Sequence, residues 1–259
     1  MWLYSSRPVI FLAGLASAAL LLGLATGRNP ARVFLAALRT GNLRYAAVVA
    51  GLFGLLGINA VETLLEPALA SWVTWDFTAP VAAPGYWLVR LLQQFEWAPV
   101  THALTYVYVL LFPVLPLVSM VIYTAEQDWE ALKGLFLAFA ASYVATLPFF
   151  VLFPVSEAWT TDLGIRFLIP QAYPGFEEFY RAFSALDNSF PSMHTALALV
   201  GPLVAWRCGH TRLAAVLAAS SGLVMLSTLY LGVHSLLDLL AGVALALGVA
   251  GAVVRGKER

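Results

Sequence analysis

Seven stretches of this sequence are apolar over enough residues to cross the roughly 30 Å hydrocarbon layer of a bilayer. They lie at about 8–26, 45–65, 102–123, 134–153, 191–207, 213–231 and 235–254. A backbone in hydrocarbon must satisfy its own hydrogen bonds, so runs of this kind fold as helices. The expected fold class is all-α, a polytopic transmembrane helical bundle of about seven spans. Of the 259 residues 61% are hydrophobic and 11% charged, less than half the charged share of a soluble domain. The 14 Lys and Arg balance the 14 Asp and Glu, which leaves no basic field to recruit nucleic acid. Cys208 is the only cysteine, and His102, His194, His210 and His234 are dispersed. Neither a disulfide framework nor a zinc cluster is expected, and no metal or cofactor. The expected partners are the lipid bilayer and a membrane lipid.

The first run follows Arg7 and has a small-residue stretch, Ala25-Thr26-Gly27, at its end. A cleaved signal peptide is one reading. A retained helix fits better, because the run is long and Arg28, Arg32, Arg39 and Arg44 follow it as a stop-transfer flank. With that flank in the cytoplasm, ten of the 14 basic residues lie inside: these four with Lys133, Arg207, Arg212, Arg255, Lys257 and Arg259. Arg7, Arg90, Arg166 and Arg181 fall outside, together with the N-terminus. Residues 1–44 then form an extra helix and a basic cytoplasmic linker ahead of a six-span core at 45–259. Two outer segments are long, Glu66 to Thr101 and Pro154 to Phe190, and function is expected there. Trp72, Trp75, Trp87 and Trp97 gather in the first, where Tyr86 to Leu92 reads as an interfacial helix. It serves as an anchor or as a lid over a lipid site.

Ionisable groups within a span are expensive and ask for a reason. Asp238 in the last run stands four residues after His234, so carboxylate and imidazole share a helix face. A carboxylate on one ring nitrogen frees the other as nucleophile or base; a buried pair joining helices explains the same residues. At the outer start of the fifth run stands Asp187-Asn188-Ser189-Phe190-Pro191-Ser192-Met193-His194. Proline suits a first helical turn, whose open N–H groups, with the Ser192 hydroxyl, offer an anion cradle. A plain Asn/Ser/Pro cap accounts for the string as well. Topology joins the two sites: the fifth run goes inward, the sixth returns and the seventh starts outside, so His194 and His234 share a face and a depth. Two imidazoles, a carboxylate and a helix N-terminus outline phosphoryl transfer through a phosphohistidine. The competing class is a transporter or non-catalytic lipid-binding protein in which His234 and Asp238 relay protons.

Phe190 to His194 resembles the Pro-Ser-Gly-His signature of the type 2 phosphatidic acid phosphatases, and Ser227 to Asp238, followed by Ala241-Gly242, resembles their Ser-Arg-x5-His-x3-Asp signature. The resemblance implies His234 as nucleophile, Asp238 as its orienting partner, His194 as general acid, and Ser192 and Thr228 at the phosphate. The sequence departs from the signatures at Met193, where Gly is usual, and at Thr228, where Arg is usual, and no Lys-x6-Arg-Pro signature precedes. In these respects it is similar to a divergent branch that includes inositol phosphorylceramide synthase, whose Phe-Pro-Ser-Leu-His and Tyr-Leu-x2-His-x3-Asp strings match Phe190 to His194 and Tyr230 to Asp238. That branch moves a phospho-alcohol head group between lipids. Since a dianionic phosphate calls for positive charge, Arg166 and Arg181 are the candidate phosphate ligands, with ion pairing to Asp162, Glu177 or Glu178 as the other reading.

Overall fold

The computed structural model describes residues 4, 6–70, 72–73, 75–181 and 184–254, with side chains for all of these except 56, 59–70 and 179. Arg255, Lys257 and Arg259 lie outside the described residues, as do the side chains of Asn59 and Glu62, expected to join helices near the outer end of the second run. The principal helices are α1 (Arg7–Thr26), α2 (Pro30–Thr40), α3 (Leu43–Ala70), α4 (Tyr86–Gln93), α5 (Ala98–Ala125), α6 (Trp129–Leu152), α7 (Met193–Arg207), α8 (Thr211–Tyr230) and α9 (Leu236–Val253). Among the described residues there is no named strand, and the only pairing of extended chain is one bridge between Val155 and Asn188.

All seven apolar runs become helix. Among the described residues α1, α5, α6, α8 and α9 are long and apolar enough to cross a membrane. Two expected spans differ from that standard. In α3 the apolar stretch is Leu43–Leu55. α7 has 15 residues, about 22 Å at 1.5 Å per residue. It sits instead in the middle of the bundle, packed by α8, α9, α6 and α5, so protein rather than lipid surrounds it. This position explains why its sequence is apolar on every side. Phe11, Leu12, Leu15 and Leu20 of α1 by contrast are exposed, as a surface facing hydrocarbon requires.

The basic segment after α1 is a helix rather than a plain linker. Asn29 caps it by accepting from the backbone N–H groups of Ala31 and Arg32, Pro30 occupies its first turn, and Thr40 donates to the Thr124 carbonyl at 2.9 Å. In the connection between α5 and α6, Asp128 caps α6 and lies 3.0 Å from His210. On the outer side α4 forms where expected and buries Tyr86, Val89 and Gln93 while Trp87 stays exposed. Gln93 donates to the carbonyls of Arg166 and Tyr230 and accepts from the Arg166 N–H. Three hydrogen bonds from one buried amide fix α4 to the segment around Arg166 and to the end of α8.

α5 contains a π-turn at Val107–Leu111, just ahead of Pro113 and Pro116. Prolines lack the N–H that a regular ladder needs, and π-turns of this kind often border functional sites. α7 and α9 meet at Gly242, where an added Cβ would stand 2.5 Å from the Ser192 carbonyl oxygen and 2.9 Å from Thr195 Cβ. Without a hydrophobic drive between helices in lipid, this close fit is what holds them. Gly242→Ala is expected to force the two helices apart at a cost of about 1–3 kcal/mol, read as a lower unfolding temperature in detergent; an unchanged temperature would contradict the contact.

Candidate active site

The turn between α8 and α9 presents His234. Its backbone is fixed from both sides: the Thr228 carbonyl accepts from the N–H groups of Val233 and His234, while Ala158 and Trp159 of the outer loop donate to the carbonyls of Val233 and Gly232. Gly232 has φ +84, and a Cβ there would overlap the Arg166 carbonyl, so only glycine fits. α9 then opens with a capping box in which Ser235 Oγ accepts from the Asp238 N–H and Asp238 Oδ2 from the Ser235 N–H at 2.7 Å. Such a cap contributes about 0.5–2 kcal/mol. It also places the fully buried Asp238 at a helix N-terminus, where the macrodipole favours its negative charge.

His234 and Asp238 do share a face, yet they do not touch: Nδ1 and Oδ2 are 3.8 Å apart. Ser189 stands between them, its Oγ 3.0 Å from His234 Nδ1 and 3.0 Å from Asp238 Oδ2. One proton arrangement satisfies this chain. Nδ1–H donates to Ser189, whose hydroxyl donates to the acceptor-only carboxylate, leaving Nε2 with a lone pair that faces His194 Nδ1. Ser189 was part of the recognised string but had no role assigned to it. The signal that places it is not in that string at all. Val155 N–H donates to the Asp187 carbonyl, Ser189 N–H to the Val155 carbonyl and Glu157 N–H to the Leu186 carbonyl, so a short parallel pairing across 30 residues of loop sets Ser189 against the histidine.

His194, on the second residue of α7, brings Nδ1 to 3.3 Å from His234 Nε2. Its ring stacks on Tyr108, within the π-turn of α5, at 4.6 Å and leans on Phe112, just after that turn, at 5.1 Å. The two imidazoles face a cavity of about 170 Å³ whose wall also includes Tyr143, Glu157, Tyr180, Ser184, Asn188 and Met193. A second, apolar cavity of about 210 Å³ shares Phe112, Tyr143 and Leu197 with the first and continues between α3, α5, α6 and α7 past Leu52, Leu117, Ala198 and Gly201. His194, Leu197, Ala198 and Gly201 follow the i, i+3, i+4, i+7 spacing of one helix face. One stripe of α7 therefore leads from the histidine pair into an apolar cleft about 10 Å deeper.

The remaining expected phosphate ligands are placed elsewhere. Ser192 is the cap of α7, its Oγ accepting from the Thr195 N–H at 3.3 Å, and it is fully buried. Pro191 stands one residue before that cap rather than in the first turn. The Thr228 hydroxyl donates to the Met225 carbonyl, so Thr228 serves His234 through its backbone. Arg166 is paired with Glu96, and Arg181 with Glu177 at 3.0 Å, each more exposed than its partner or nearly as exposed as it. None of these four lines the cavity. His102 bonds the Ala98 carbonyl on an exposed surface. Among the described residues no cluster of His, Cys, Asp and Glu has the makings of a metal site.

The charged group that does line the cavity is one that sequence reading passed over. Glu157 is 1% exposed; Oε1 accepts from the Tyr180 hydroxyl at 2.6 Å and Oε2 from Trp159 Nε1 at 2.5 Å. Burial pushes its carboxyl up to about 7, against the opposing effects of the Tyr180 bond, the nearby His234, the Trp159 bond and Arg181. In sequence it is an ordinary loop acid three residues after Pro154, with nothing to mark it.

No curated protein and no solved structure matches the chain. The sequence model of the PAP2 superfamily matches residues 83–252, from the start of α4 to the end of α9, and so takes in both histidines, Ser189 and Asp238. The chain belongs to the PAP2 superfamily.

Proposed function

We propose that the chain is a membrane enzyme that moves a phosphoryl group, or a phosphate carrying its head group, from a lipid phosphate ester or diphosphate through a phosphohistidine on His234. The observation that carries this reading is the contact of His234 Nε2 with His194 Nδ1 at the mouth of a cavity that turns from polar to apolar. Its support in kinship is membership of the PAP2 superfamily.

In the first half-reaction the Nε2 lone pair attacks phosphorus as the bond to the leaving oxygen breaks. His194, entering with both ring nitrogens protonated, gives its Nδ1 proton to that oxygen and is left as neutral imidazole, so the leaving group departs as a neutral alcohol or, from a diphosphate, as a protonated phosphate. The phosphorylated imidazole is cationic, and its Nδ1–H remains bonded through Ser189 to Asp238, which stabilises the developing charge. In the second half-reaction water or an acceptor alcohol gives its proton to His194 and attacks phosphorus, the P–N bond breaks, and His234 returns to its starting form. The apolar cleft beneath the histidines suits the hydrocarbon tail of the lipid. Among the described residues that line the cavity there is no arginine or lysine, which supports the head-group-transfer branch, in which the phosphate is a diester of lower charge. The distribution of basic residues supports a site on the non-cytoplasmic face of the cell membrane.

Purified protein incubated with a panel of lipid phosphates, diphosphates and phosphodiesters is expected to yield either free phosphate or a new phospholipid by mass spectrometry. His234→Ala should abolish both and His194→Ala should slow them by about 10²–10⁴-fold. Turnover that survives both substitutions would overturn the mechanism. Ser189→Ala leaves Asp238 and Nδ1 without their shared partner, worth about 1–3 kcal/mol, and so should lower kcat by about 10–100-fold with little change in KM. An unaltered kcat would remove Ser189 from the relay.

A further inference from the structure

Glu157 is held more rigidly than a loop acid needs to be. The segment that carries it is paired on one side with residues 186–189 and on the other with Gly232 and Val233, the backbone that presents His234. Its two carboxylate oxygens are occupied by Tyr180 and Trp159, and Tyr180 in turn lies 3.5 Å from the hydroxyl of Tyr108, the residue stacked on His194. Each oxygen has a second lone-pair site, so the carboxylate keeps capacity to accept from a further donor. The groups that face it are Tyr180 and Arg181 from the helical turn above, Trp159 from its own loop, His234 from the α8–α9 turn and Tyr108 from α5. Arg181 is engaged by Glu177.

A wall of this kind is the opposite of what a phosphomonoester needs. A monoester carries close to two negative charges at neutral pH, with a second pKa near 6, whereas a diester carries one. Against a buried carboxylate the repulsion scales with the ligand's charge. We propose that Glu157 is a specificity-determining residue of this cavity, disfavouring a doubly charged phosphomonoester relative to a singly charged phosphodiester. This inference rests on the phosphoryl-transfer reading above and assigns its substrate's charge class. The carboxyl's rise to about 7 adds a pH signature: the repelling, ionised form gains weight as pH rises through neutrality.

The test compares two substrates on the same diacylglycerol, the phosphomonoester and a simple phosphodiester, as kcat/KM from pH 6 to 8. In wild-type protein the diester is expected to lead by at least tenfold at pH 8, with a smaller lead at pH 6. Glu157→Gln should shrink the lead at pH 8 about tenfold and reduce its change with pH to the part that monoester ionisation alone imposes. The wild-type ratio stands without any variant, so poor folding of Glu157→Gln leaves the proposal open to refutation. A wild-type preference for the monoester overturns it, as does a Glu157→Gln protein that loses both activities by one factor at every pH. If wild type and His234→Ala are alike in turning over neither substrate, the phosphoryl-transfer reading fails and this inference falls with it.

Discussion

A carboxylate with no exposed surface sits in this bundle without a cation beside it. Asp238 is held by the Ser235 N–H, the Ser189 hydroxyl and the N-terminal end of α9. Both donors bind Oδ2, while the buried Oδ1 has no hydrogen-bond partner among the described residues; a buried charge depends on the donors it does have, and these two dictate much of the surrounding architecture. Ser235 must open α9, so the α8–α9 turn has to end there, and that turn closes only because Gly232 takes a positive φ beneath the Arg166 carbonyl. Ser189 must reach the same carboxylate, so the second outer loop has to return along Val155 before α7 begins. His234 and His194 meet as a consequence of satisfying Asp238 from two directions.

The same arrangement separates polar from apolar chemistry along one helix. α7 is short and central, begins at the histidine pair and carries its stripe of small and apolar residues into the cleft shared with α3. α3 lies outside the region that the family match covers, so one wall of the cleft comes from this chain's own amino-terminal part. A lipid with its phosphate at the histidines would meet a gradient of polarity that follows its own.

Much of this was legible in the sequence because the controlling signals are local. Helix periodicity and length place every apolar run, and the four-residue spacing of His234 and Asp238 fixes a shared face. Inward and outward alternation brings His194 to the same depth. What escaped were relations that depend on loop geometry. Nothing in the order of residues says that Val155 pairs with Asn188, so neither the bridging role of Ser189 nor the inward aim of Glu157 was readable. Arg166 and Arg181 looked like phosphate ligands on grounds of charge alone, and the structure gives each a carboxylate of its own, Glu96 and Glu177. α7, whose apolar run contains His194 and Pro202, is shorter than a span needs; its central packing makes the missing length unnecessary.

The account stands or falls on the nucleophile. Rapid quenching of the protein during turnover, under alkaline conditions that preserve phosphoramidates, followed by peptide mass spectrometry, would locate any covalent phosphate. The account predicts a modified peptide bearing the phosphoryl group, or the phosphate with its head group, on His234, absent from His234→Ala and more abundant when the acceptor is withheld. Turnover with no phosphorylated histidine at any point, or with the modification on His194 instead, would contradict it.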